Sequence, residues 1–138
     1  MTCSLVYEFH KRFGLPDGSE DILSVNSRAA EFRTKFMQEE LDEFVEAYNA
    51  KNRVKAFDAL LDLTYVVYGT ALFMGISPEQ WEAGFHAVHE ANMGKVRAPS
   101  SEHSKRNSDF DVIKPAGWVG PEGELEWVLD KMLRNSVR

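Results

Sequence analysis

The stretch from Val54 to Met74 is apolar on almost every side, and it constrains the fold more than any other part of the chain. Its large apolar residues are Phe57, Leu60, Leu61, Leu63, Tyr65, Val66, Val67, Tyr68 and Leu72. A helix that is apolar all round is normally the buried centre of a helix bundle. The longest apolar run, Tyr65 to Met74, is too short to span a bilayer. We therefore expect an all-α protein whose other helices cover this one.

Turn-forming residues separate four further helices from the apolar one. The apolar spacing and the stop signals predict them at Ser4 to Phe13, Ser27 to about Ala50, Ser77 to Met93, and about Pro121 to Arg134. Gly75 closes the apolar helix, and Ser77 and Gln80 have the spacing of a capping box at the start of the next. The pattern predicts an antiparallel bundle of about five helices in a single domain, residues 1–138.

One segment, about Arg97 to Gly120, has no helical pattern. Its sequence, RAPSSEHSKRNSDFDVIKPAGWVG, is polar, irregular and rich in turn formers. A stretch of this length without secondary structure is unusual in a compact domain, so it is either functional or disordered. No strand is required here or elsewhere in the chain.

Composition excludes several classes of protein. The net charge of −6 disfavours binding to a nucleic-acid polymer, which needs a basic surface. Cys3 is the single cysteine and suits a reducing compartment. The start of the chain has no basic segment followed by an apolar one, so we see no signal peptide. We expect a cytoplasmic protein that does not associate with membranes.

Acidic residues are concentrated on two of the predicted helices. Glu39, Glu40 and Glu43 fall within about a 100° sector of one helix, and Asp58 and Asp62 share a face of the apolar helix. The glutamates alone are typical of a solvated face. Two carboxylates among apolar residues need a partner, because unpaired burial is costly. Basic residues that could pair with them are Arg28, Arg33, Lys51 and Lys55.

The alternative partner is a hard divalent cation. If the two helices pack antiparallel, their carboxylates converge, and Mg²⁺ or Mn²⁺ prefers such oxygen ligands. A di-iron bundle would need a Glu-x-x-His motif on two helices, and no histidine follows a glutamate by three residues. His86 and His89 are near each other on the fourth helix, where surface or core roles are the commoner ones. The aspartates favour the magnesium interpretation.

Four blocks of the sequence, QEELDE, DALLDLTYVVYG, VHEANMGK and KPAGW, resemble the MazG-like all-α nucleotide pyrophosphohydrolases. The resemblance is greatest to the bacterial and phage branch that includes MazG-type dUTP pyrophosphatases, and it extends from about Phe9 to the last helix. It implies cleavage of a nucleoside triphosphate between the α and β phosphates, with Mg²⁺ bridging the anionic substrate and the carboxylates. Phosphoribosyl-ATP pyrophosphohydrolase activity and a non-catalytic metal-binding dimerisation module are the alternatives.

The resemblance also implies a site. Glu39, Glu40 and Glu43 match its first motif, E-E-x-x-E, and Asp62 matches the last residue of its second, E-x-x-D. Glu40 is the implied general base, with the other three residues as metal ligands. Spacing does not separate base from ligand, so Glu40 also stays a candidate ligand.

This sequence departs from the second motif at Ala59, where the resemblance predicts a glutamate. Relative to Asp62, position 59 lies about 60° to one side on a helix and Asp58 about 40° to the other. Asp58 is therefore a further candidate ligand, with a shorter side chain.

Substrate-binding residues are implied at two places. Asn92 and Lys95 end the fourth helix, where the resemblance places the nucleotide, although helix capping and the helix dipole explain them equally well. Lys114 and Trp118 lie in KPAGW, which could close over the substrate or pin the loop. The apolar third helix and the resemblance both predict a homodimer or a dimer of dimers.

Overall fold

The computed structural model describes residues 1–132, and its secondary structure is almost entirely helical. The helices are α1 (Thr2–Arg12), α2 (Ser27–Asn49), α3 (Arg53–Phe73), α4 (Pro78–Met93) and α5 (Glu122–Trp127), which continues as a π-helical turn (Val128–Met132). This confirms the expected all-α fold. The contacts divide the chain into two compact units, residues 1–81 and residues from 82 onward. The expectation of a single domain stays a prediction.

Local capping explains where three of the helices begin. The Asn26 side chain accepts a hydrogen bond from the Ala29 amide at 3.0 Å, and Asn52 accepts one from the Lys55 amide at 3.0 Å. Ser77 and Gln80 form the expected capping box, in which each side chain bonds the backbone N–H of the other residue. Such caps satisfy amides that lack partners inside the helix, and each is worth about 1 kcal/mol.

The first unit is built on the pairing of α2 with α3. Three residues, Ala50 to Asn52, connect the two helices, which makes them antiparallel. Ala47 and Ala59 are buried, which is typical of a close helix–helix approach. α1 packs on the other end of α3, where the Phe9 and Tyr65 rings meet edge to face with centroids 5.5 Å apart.

α3 is less covered than its composition predicts. In this single chain Phe57 is 63% exposed and Leu61 is 53% exposed, whereas Leu72 near the end of the helix is fully buried. By length and composition alone α3 also qualifies as a membrane span. Core helices of soluble proteins commonly meet the same criterion.

The segment expected to lack secondary structure contains a short ribbon. Strand β1 (Val96–Arg97) pairs antiparallel with β2 (Val112–Ile113), and a 3₁₀ turn (Ser101–His103) lies between them. The segment is therefore not without secondary structure, although the fold as a whole stays all-α.

Two aspartates organise the residues between these strands. Asp111 accepts hydrogen bonds from the Ser104 hydroxyl at 2.7 Å and from Arg106, and Asp109 accepts one from the Ser101 amide. The hydrogen bond from Ser104 and then the one from Arg106 lower the pKa of Asp111. These hydrogen bonds stabilise a segment that has no regular pattern of apolar residues.

Candidate functional site

The acidic faces of α2 and α3 meet. Antiparallel packing brings Glu40, Glu43 and Asp62 together so that one carboxylate oxygen of each lies within 4.8 Å of the others. We refer to these three residues as the acidic cluster. Because they come from two helices, their spacing is set by how α2 and α3 pack, and a single helix could not create it.

The surroundings of the acidic cluster disfavour its negative charges. Glu40 Oε2 is buried, and among residues 1–132 it is the one buried side-chain polar atom with no hydrogen-bond partner. Loss of solvent raises the pKa of Glu40, and the charge of Glu43 raises it further. The pKa of Asp62 is also raised, by loss of solvent and then by the charges of Asp58 and Glu43. The acidic side chains thus repel one another and leave an acceptor unused.

Asp58 and Glu39 lie beside the acidic cluster. Asp58 lines an open cavity of about 370 Å³, together with Glu43, Glu46 and Ala59. Glu39 is exposed, and its charge contributes to the raised pKa of Glu40. Ala59 borders the same cavity, so the space beside it could accept a longer side chain. The roles predicted for these residues stay predictions.

The basic residues proposed as partners for the aspartates do not pair with them. Across residues 1–132 the ion pairs are Lys11–Asp17, Lys35–Glu31, His86–Glu82 and Arg106–Asp111. Arg33 is buried, and its hydrogen bonds go to the Val66 carbonyl and Thr70. Lys55 lines the cavity with Asp58 without forming an ion pair there. The simple salt-bridge interpretation of the aspartates is therefore wrong.

The donors of the acidic cluster fit a hard divalent cation. All three are carboxylates, the ligand type that Mg²⁺ and Mn²⁺ prefer. A cation would accept the free Oε2 of Glu40 as a ligand and would offset the repulsion that raises both pKa values. Within the described part of the chain no histidine joins this group, which disfavours the di-iron alternative.

In the second unit, the Trp118 side chain contacts three other residues. Its indole N–H donates to the Ala91 carbonyl at 2.7 Å, and the ammonium groups of Lys95 and Lys114 lie 5.3 Å and 4.8 Å from its ring centroid. These are cation–π distances. Three of the predicted substrate-binding residues therefore form one contact group. The fourth, Asn92, is exposed.

Sequence reasoning missed the buried polar group formed by His10, Arg33 and Thr70. Arg33 and His10 are 5% and 3% exposed, values rarely reached by such residues. Arg33 precedes Phe36 and Glu40 on the inward face of α2, and this position was the available signal. The charge of Arg33 predicts a carboxylate partner, whereas its hydrogen bonds go to a backbone carbonyl and a hydroxyl.

Comparison with known proteins identifies the family. The profile described as phosphoribosyl-ATP pyrophosphohydrolase matches residues 6–92, which include most of α1, all of α2 and α3, and the whole acidic cluster. An uncharacterised mimivirus protein, L479 of Acanthamoeba polyphaga mimivirus, is 35% identical over 105 residues, or 74% of this chain. The chain spans only 38% of the length of that relative. The match over residues 6–92 shows that the chain belongs to the phosphoribosyl-ATP pyrophosphohydrolase family, within the MazG-like all-α nucleotide pyrophosphohydrolases.

Proposed function

We propose that this protein is a Mg²⁺-dependent pyrophosphohydrolase that converts (deoxy)nucleoside triphosphates to monophosphates and pyrophosphate. The observation that carries the proposal is the convergence of three carboxylates from α2 and α3, with one buried oxygen left without a partner. Membership of a pyrophosphohydrolase family supplies the reaction class. The MazG-like branch and the triphosphate substrate belong to the proposal.

The acidic residues have two tasks in this proposal. Glu43 and Asp62 hold the cation, with Glu39 and Asp58 as further ligands from either side. A divalent cation supplies charge neutralisation toward the phosphate oxygens and makes a nearby water more acidic. Glu40 is the general base that takes a proton from the attacking water.

The Lys95–Trp118–Lys114 group provides the chemistry to bind a nucleotide. Ammonium groups bind phosphate oxygens as point charges, and an indole ring stacks on a base. We assign substrate contact to these three residues and to Asn92, whose amide can read a base or sugar edge.

Self-association is part of the same proposal. Phe57 and Leu61 on α3, like Phe32 on α2, are more than half exposed in the single chain, and a second copy would cover such apolar surface. We propose a homodimer or a dimer of dimers. Light scattering that finds a stable and active monomer would refute it.

Phosphoribosyl-ATP is the second candidate substrate, and it is favoured by the family profile that matches the chain. Both candidates contain the same α–β phosphoanhydride bond, so the acidic cluster cannot distinguish them. Discrimination requires contacts with the base and sugar, which the cluster does not make.

A panel assay tests the proposed function. Pyrophosphate release would be measured with Mg²⁺ for the canonical NTPs, the dNTPs and phosphoribosyl-ATP, at equal concentrations. We expect the highest kcat/KM for a nucleoside triphosphate. A preference for phosphoribosyl-ATP would favour the second candidate. Metal binding without turnover of any substrate would favour the non-catalytic dimerisation module.

A further inference from the structure

Arg33 is a buried charge that has no carboxylate partner among residues 1–132. Its Nη2 donates to the Val66 carbonyl at 2.8 Å, and its Nε donates to Thr70 Oγ1 at 3.2 Å. The guanidinium carbon lies 4.7 Å from the centroid of the Phe73 ring and 5.4 Å from that of Phe36. Neutral acceptors and aromatic faces thus take the place of an anion. Such an arrangement requires accurate placement, because a buried donor that loses its acceptor is costly.

The surroundings of Arg33 leave room for little else. A Cβ atom added at Gly69 would lie 2.6 Å from Arg33 Nη2 and 2.8 Å from His10 Nε2, so position 69 tolerates only glycine while Arg33 is seated. His10 is fixed in turn, because its Nδ1 donates to the Pro16 carbonyl at 2.6 Å. α1, α2 and α3 therefore meet around one guanidinium group.

The Arg33 contacts and the acidic cluster lie on the same interface. Glu40 follows Arg33 by seven residues, which is two helical turns, or about 10.5 Å along nearly the same face of α2. On α3, Val66 and Thr70 follow Asp62 by one and two turns. The two groups are thus neighbouring layers between the same pair of helices.

We refer to Arg33, Val66 and Thr70 as the Arg33 layer. This layer is suited to fixing the alignment of the two helices. Apolar contacts such as Ala47 against α3 tolerate sliding, whereas hydrogen bonds to a particular carbonyl and hydroxyl do not. A slip by one residue would move α2 about 1.5 Å along its axis and rotate the contacts by about 100°. Either change would separate the oxygens of Glu40 and Asp62.

We propose that Arg33, through the Val66 carbonyl and Thr70, is a positioning residue that sets the alignment of α2 against α3 and thereby holds the acidic cluster in metal-binding geometry. The expected effect on catalysis rests on the proposed function, whereas the expected effect on metal affinity does not. Displacements of about 1 Å at a reacting centre are enough to slow catalysis about a hundredfold.

The test compares variants of this layer with a variant that weakens the fold elsewhere. Arg33→Met removes the guanidinium, Thr70→Val removes the hydroxyl with little change of shape, and Thr70→Ser retains the hydroxyl. Val6→Ala is the control, because Val6 is 2% exposed on α1, which carries no residue of the acidic cluster. Mn²⁺ affinity would be measured by electron paramagnetic resonance, kcat and KM by pyrophosphate release, and stability by thermal unfolding.

We expect Arg33→Met and Thr70→Val to weaken Mn²⁺ binding about tenfold or more and to lower kcat more than they raise KM. Thr70→Ser should restore most of both losses. Val6→Ala should lower the melting temperature while its Mn²⁺ affinity stays at the wild-type value. If Arg33→Met does not fold, the Thr70→Val and Thr70→Ser pair decides.

Wild-type Mn²⁺ affinity in Thr70→Val would overturn the proposal, and so would an equal loss of affinity in Val6→Ala. A wild-type protein that binds Mn²⁺ but cleaves no nucleotide would refute the proposed function alone, and the affinity comparison would still decide the role of Arg33. A wild-type protein that binds no Mn²⁺ would overturn both.

Discussion

The Arg33 layer and the acidic cluster place opposite charges between the same two helices. Only in the Arg33 layer do neighbouring groups of the protein compensate the charge. Arg33 is buried, yet carbonyl and hydroxyl acceptors and two aromatic faces surround it. Glu40 is less buried, yet one of its oxygens has no partner and its carboxylate neighbours repel it. A purely structural carboxylate would be expected to have its own donors, as Asp111 does in the second unit. The difference supports our proposal that the Arg33 layer holds the two helices in place and that the acidic cluster binds a cation.

Removing charge from the acidic cluster should have the largest effect. We expect Glu40→Gln and Asp62→Asn each to reduce kcat for pyrophosphate release about 10²- to 10⁴-fold, because both keep the shape of the side chain and remove the charge. Without metal, neither variant should unfold more easily than wild type, because each relieves repulsion. The matched control is Glu31→Gln, which changes an exposed glutamate of α2 that is paired with Lys35. Equal rates in Glu40→Gln and Glu31→Gln would show that the cluster is a solvated face.

The departure at Ala59 should have the next largest effect. If Asp58 takes the place of the glutamate that the family resemblance predicts, Asp58→Asn should weaken metal binding and slow turnover about 10- to 100-fold. The double change Asp58→Ala with Ala59→Glu should recover part of the activity, because Ala59 borders the 370 Å³ cavity that Glu43 and Asp58 also line. An Asp58→Asn variant with the wild-type rate and Mg²⁺ dependence would show that Asp58 is not a ligand.

Variants of Trp118 distinguish a role in substrate binding from a purely structural role in the second unit. If the indole ring contacts the substrate, Trp118→Ala should raise KM about tenfold with little change in melting temperature. Trp118→Phe keeps an aromatic face and loses the hydrogen bond to Ala91, so it should retain most of the affinity. A lower melting temperature with unchanged kinetics in both variants would instead show that the ring only pins the loop.

The smallest effect concerns pH and the Arg33 layer. Burial lowers the pKa of His10 below its ordinary value of 6.5, and the charge of Arg33 lowers it further, whereas the Pro16 hydrogen bond and Asp17 act in the opposite direction. As the pH falls, His10 therefore binds its proton at a higher pH in the unfolded chain than in the folded one. The contribution of neutral His10 to the free energy of unfolding is fully present above pH 6.5. It is lost as the pH falls from 6.5 through the folded-state pKa, at no more than about 1.4 kcal/mol per pH unit.

His10→Gln should remove this pH dependence. The measurement is the free energy of unfolding by urea between pH 7.5 and about pH 5, for wild type and variant in parallel. The carboxylates with shifted pKa values are common to both proteins, so the difference isolates His10. Parallel curves would mean that the pKa of His10 is the same in the folded and unfolded protein.

The helices and the acidic residues were predictable from sequence because both depend on local spacing. The caps at Ser77 and Gln80 and the sector occupied by Glu39, Glu40 and Glu43 follow from residues at most four apart. The partners of Arg33 were not predictable, because a backbone carbonyl on another helix has no sequence signature. The β1–β2 ribbon was missed for a similar reason, since its two-residue strands are too short to show apolar alternation and the residues between them are held by hydrogen bonds of Asp109 and Asp111.

The most direct test of the account is ³¹P NMR of a nucleoside triphosphate incubated with the protein, first with Mg²⁺ and then with excess chelator. The account predicts monophosphate and pyrophosphate as the only products with Mg²⁺, and an unchanged triphosphate with chelator. Diphosphate and orthophosphate as products, or the same rate in excess chelator, would contradict it.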